Sequence, residues 1–159
     1  MSLQGPILIV ANAPAGGLVQ AFTDAGAFPV IETSWAGAQT AAAEVKPSAI
    51  VLSEPDAADS AAAMALTRHV ANASPFTPML IRVREDAASA LAGALPISDD
   101  APAAQLIARI SSALRLRTLH STVLGRAKTL KTDRNIVAEL PDGDPLDDAT
   151  VLLIGRGRH

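Results

Sequence analysis

Short apolar runs alternate along this chain with stretches in which apolar residues recur every three or four positions. PILIVAN (6–12) is a β-branched-rich run bounded by proline and a turn of small residues, and predicts a buried strand. PAGGLVQAFTDAGA (14–27) follows with Leu18, Val19, Phe22 and Ala25 at helical spacing, and closes at Gly26. FPVIETS (28–34) predicts a second strand. Ala36–Val45 predicts an alanine-rich helix stopped by Lys46 and Pro47, and SAIVLSE (48–54) a third strand. Ala58–Ala73 predicts a helix whose larger side chains are Met64, Leu66, His69 and Val70, and TPMLIRVRE (77–85) a fourth strand. A short helix over Ala87–Gly93, a weak strand ALPIS (94–98) and a long helix opened by Pro102 complete the series. Strands alternating with helices demand right-handed crossovers, so the expected class is α/β: a doubly wound parallel sheet covered on both faces.

The last helix outruns what such a domain needs. Leu106, Ile110, Ala113, Leu116, Leu119, Val123 and Leu130 recur at three- and four-residue steps, with Arg126 interrupting. About 30 residues at 1.5 Å each give a rod of roughly 45 Å, longer than the sheet it packs on. Its second half must find a partner for its apolar stripe, and a parallel coiled coil with a second copy is the simplest one. Leu116, Leu119, Val123 and Leu130 are the candidate dimerisation residues. Arg109, Arg115, Arg117, Arg126, Lys128, Lys131 and Arg134 make the same helix basic. With no helix-turn-helix and no interleaved aromatics, that charge reads as a solvated face or a contact with an acidic module, not as a nucleic-acid interface.

Charge divides the chain in two. Residues 1–108 carry four basic residues against ten acidic ones, net −6, and residues 109–159 carry nine against six, net +3. The change of sign marks a change of module, with 1–117 as the globular domain, 118–135 as the extension of its last helix and 136–148 (IVAELPDGDPLDD) as an acidic linker. The absence of cysteine excludes disulfides, thiolate nucleophiles and cysteine metal sites, and His69, His120 and His159 show no ligand spacing. No apolar stretch is long enough for a membrane span and the first residues lack a signal-peptide pattern, so a cytoplasmic protein without cofactor is expected.

Three segments in register with this strand order carry a resemblance. KPSAIVLSEPD, TPMLIRV and QLIARISSALRLR resemble the third strand, fourth strand and last helix of the receiver domains of bacterial response regulators, over residues 6 to about 117. The resemblance implies a flavodoxin-like (βα)5 fold with strand order 2-1-3-4-5 and its site beyond the carboxyl ends of the strands. In that family an aspartate ending the third strand takes a phosphoryl group, beside a Mg²⁺ held by an acidic pair after the first strand. A Thr or Ser ending the fourth strand and a Lys after the fifth contact the phosphoryl oxygens.

Carried onto this chain residue by residue, the acidic pair falls on Ala11 and Asn12, the phosphoacceptor on Ser53, the switch hydroxyl on Val83, and the lysine on Ser98 or Asp99. Alanine cannot hold a hard cation and asparagine offers one neutral oxygen. Serine is a poor nucleophile without a base, valine has no hydroxyl, and an acid repels phosphate. The resemblance therefore implies a pseudo-receiver with no catalytic, cofactor or metal residues, regulating by dimerisation or by contact with later domains of its own chain. The spacing from Val83 to the lysine position is also short, which trims the family's fourth helix and its usual switching face.

Other readings of the same residues stay open. Clustered carboxylates, Glu54 and Asp56 first among them, could retain a metal or accept a phosphoryl group, and Trp35 at the end of the second strand could be a ligand platform or sheet-edge packing. Neither NAPAGG nor GRG makes a nucleotide-binding fingerprint. ATVLLIGRGRH (149–159) repeats the opening apolar run and small-residue turn, and predicts the first strand of a truncated second receiver-like domain. The basic helix followed by DPLDDATVLLIGRGR is similar to tandem-receiver regulators that carry a GGDEF diguanylate cyclase domain, so control of cyclic di-GMP synthesis by an output domain is the implied setting.

Overall fold

The computed structural model describes residues 3, 5–73, 75–84 and 91–134, the last eight of these as helix backbone. Five strands, β1 (Ile7–Val10), β2 (Val30–Thr33), β3 (Ala49–Leu52), β4 (Met79–Val83) and β5 (Ala94–Ser98), form one sheet in the order β2-β1-β3-β4-β5. Every pairing is parallel, and Ile7 lies level with both Val30 and Ala49. The helices are α1 (Gly16–Asp24), α2 (Ala38–Val45), α3 (Ser60–Ala71) and α4 (Ala103–Arg134). This is the flavodoxin-like order expected from the sequence.

Alternation along the strands splits the core into two layers. Leu8, Val10, Ile50, Leu52, Met79 and Ile81 face α2 and α3, where Ala42, Ala63, Leu66 and Val70 meet them. Ile7, Ile9, Val51, Leu80 and Ile97 face the other way, against Phe22 of α1 and Leu106 and Ile110 of α4. β1 and β3 are buried at every position because both their faces are covered.

Several elements differ in detail from the expectation. α3 presents Ala63, Leu66 and Val70 to the sheet, while Met64 is 51% exposed, so the inward face follows helical phase and not side-chain size. Trp35 heads a 3₁₀ turn (Trp35–Gly37) before α2 and is 1% exposed in the α2–α3 layer. It is packing at the end of the edge strand β2, with Ile31 beside it, and not an open ligand platform. Residues 91–93 form a turn into β5 and not the end of a helix, and the rest of the expected Ala87–Gly93 helix, residues 87–90, lies outside the described residues.

The ends of the helices have local causes. Gly26 takes φ 86°, a region open to glycine, and its N–H donates to the Thr23 carbonyl to close α1. Lys46 does the same for α2 at φ 50°, its N–H reaching Ala42, because Pro47 behind it forbids another turn. β5 tolerates Pro96 because it is the edge strand and needs hydrogen bonds on one side only.

α4 is a single helix of 32 residues, about 48 Å long. Its first turns are anchored by Leu106 and Ile110, both fully buried; beyond them Leu116, Leu119 and Val123 are 50%, 64% and 51% exposed. Near the point where the helix leaves the sheet, His120 meets Phe76 edge to face with ring centroids 6.1 Å apart. The expected linker over 136–148, the strand over 149–159 and the side chain of Leu130 lie outside the described residues.

Candidate functional site

The crevice beyond the carboxyl ends of β1 and β3 is where open α/β sheets build their sites, because the chain reverses winding direction there. Register places the residues of interest at its rim. The Ser53 N–H donates to the Val10 carbonyl at 2.8 Å, and the Ala11 N–H to the Thr33 carbonyl at 3.0 Å. Ser53 and Ala11 therefore stand side by side at the ends of adjacent strands, both half-buried. Val83 pairs with Ser98, and the Asp99 N–H donates to the Val83 carbonyl at 2.9 Å, which brings the switch and lysine positions together as well.

The polar side chains around this rim are engaged with one another. Asn12 donates its amide to Asp59 at 2.6 Å and, at 3.4 Å, to Asp56. Asp59 also accepts the Asp56 N–H at 3.2 Å, in a capping box that starts the 3₁₀ turn before α3. Glu54 pairs with Arg84 at 3.2 Å, and Asp99 pairs with Arg82 at 3.1 Å. The Arg82 guanidinium donates to the Asp99 carbonyl too. Glu32 accepts the Ala15 N–H ahead of α1.

The sequence reading missed Asp59, Arg82, Arg84 and Glu32. Asp56-x-x-Asp59 was the available signal for the first of them, since an acid three residues after an N-cap acid marks a capping box. The ion pairs left no signal, because each joins segments far apart in the chain.

A divalent cation needs several oxygen ligands converging on one point. Here Ala11 contributes no side-chain oxygen, Asn12 turns its amide nitrogen toward the nearest carboxylates, and Glu54 and Asp56 are directed to different partners, Arg84 and Asn12. Among the described residues no group of three or more His, Cys, Asp or Glu side chains is placed to hold a metal. The residues present do not fit the receiver family's Mg²⁺.

A solved structure of a variant of the anti-anti-sigma factor PhyR from Bartonella quintana aligns with this chain at a TM-score of 0.57. The fold is receiver-like. The alignment covers 74% of this chain and 51% of the PhyR chain, at 16% sequence identity, so this chain matches about half the length of that structure. No family model and no curated protein matches the sequence. Among the described residues no helix is long and apolar enough to cross a membrane.

Proposed function

We propose that this chain is a non-phosphorylating receiver-like regulatory module, acting through protein contacts and not through chemistry at its strand ends. The observation that carries the reading is the placement of Ser53 and Ala11 at the carboxyl ends of the adjacent strands β3 and β1, beside an Asn12 already committed to Asp56 and Asp59. Acyl phosphate formation needs a carboxylate nucleophile and charge neutralisation of the transferring oxygens, and neither is provided there. Incubation with acetyl phosphate or beryllofluoride and Mg²⁺ is expected to leave the intact mass and the melting temperature unchanged. A Mg²⁺-dependent adduct on Glu54 or Asp56 sinks the reading and restores the alternative of an active phosphoacceptor.

The working surface in this reading is the exposed stripe of α4. Leu116, Leu119 and Val123 follow one another at steps of three and four, the spacing of a helix–helix seam, and a second copy of the chain is the proposed partner. Contact with later domains of the same chain, a diguanylate cyclase among them, is the setting that the tandem-receiver resemblance suggests, in a cytoplasmic protein. Leu119→Asp is expected to shift the chain toward monomer in sedimentation velocity, at concentrations where the native chain associates. An unchanged sedimentation profile removes the dimer from the proposal.

A further inference from the structure

At the root of the free part of α4 lies an apolar groove of about 430 Å³, with Phe76, Pro78 and Leu95 on one side and Arg109, Ser112 and Leu116 on the other. The groove continues along the helix as a single stripe: Arg109, Ser112, Leu116, Leu119, Val123 and Arg126 succeed one another at steps of three, four, three, four and three. An arginine thus stands at each end of an apolar strip. A second copy packed parallel and in register would set Arg126 against Arg126 and Arg109 against Arg109, placing like charges in the seam. The better complement is a segment with spaced apolar residues among carboxylates.

Such a segment begins four residues after Arg134 in the sequence. Residues 138–148, AELPDGDPLDD, carry Glu139, Asp142, Asp144, Asp147 and Asp148 with no basic residue, and two leucines, Leu140 and Leu146. Pro141 and Pro145 disfavour a helix there, so extended spacing is the relevant ruler. From Arg134 back to Leu116 the helix runs about 27 Å, and the twelve residues from Arg134 to Leu146 reach up to about 40 Å. Leu140 can therefore return as far as Val123, and Leu146 as far as the groove.

We propose that residues 138–148 dock along this stripe, Leu140 and Leu146 covering its apolar positions and the carboxylates meeting Arg109 and Arg126, and thereby compete with a second copy of the chain. The inference rests on the reading of the α4 stripe as the module's working surface, and adds the element that regulates it.

The test uses the full chain, whose lack of cysteine allows a single nitroxide label at Gly143→Cys. In low salt the label is expected to remove more than half the amide signal intensity of Ser112–Val123 in NMR spectra. High salt should restore those signals, since exposed charge pairs are screened. They should also return when the five acids are changed to Asn or Gln, and that neutralised chain should dimerise about tenfold more tightly. Stripe signals indifferent to the label, or broadening that survives neutralisation, overturn the proposal. If they are indifferent and the native chain sediments as a dimer, a second copy is the occupant and the function proposed above stands; if it sediments as a monomer, the dimer falls too.

Discussion

Trp35→Ala is expected to destabilise the fold by about 3–5 kcal/mol, the usual cost of emptying a large aromatic site that cannot collapse. Trp35 is 1% exposed and belongs to the layer that joins Leu8 and Val10 of β1 to α2 and α3, so its loss opens a cavity bounded by two helices and the sheet. Urea denaturation followed by far-ultraviolet circular dichroism measures it, because the chain has no other tryptophan to report by fluorescence. Trp35→Phe separates volume from polarity. Among the described residues the indole N–H has no hydrogen-bond partner, so phenylalanine removes that donor while keeping most of the ring, and should cost far less. A loss below about 1 kcal/mol for the alanine variant contradicts the placement of Trp35 in the core.

The second large effect is expected at Leu106→Ala, about 2–5 kcal/mol. Leu106 and Ile110 are the fully buried anchors of α4, seated among Ile7, Ile9, Leu80 and Ile97. Weakening them loosens the root of the helix and, with it, the groove between Leu95 and Leu116. Two readouts should therefore move together: the urea midpoint falls, and hydrogen exchange quickens in the first turns of α4 more than in β1 or β3. Uniformly faster exchange throughout would mean that α4 and the sheet open as one unit, and that the helix root has no separate stability.

Much of the fold was legible because its strands are extreme. ILIV and AIVL are buried on both faces, and nothing but a covered central strand suits such runs. β2 was legible for a different reason, its place between two helices, since VIET is mixed in character. Phase was less legible. Met64 and Leu66 looked equivalent as large apolar residues of α3, yet the helix turns one outward and the other inward. That Trp35 packs was legible; the 3₁₀ turn it heads was not, because no periodicity announces a single turn of that kind.

At the rim, the positions of Ala11, Asn12, Ser53, Val83 and Asp99 followed from counting along strands, and register brought them to the crevice. What could not be counted was the pairing among loops. Asn12 meets Asp59 across 47 residues of sequence and Arg84 meets Glu54 across 30, distances at which only the assembled sheet decides who is neighbour to whom.

Pro96 has a consequence for how copies of this chain can meet. It sits at the centre of the five-residue edge strand β5, so an incoming strand would find no backbone donor at that position. Growth of the sheet from one molecule into the next is blocked on this side, and with it one common route to fibrous aggregation. Whatever associates near β5 must do so through side chains and helices, which leaves the flank of α4 to choose the partner.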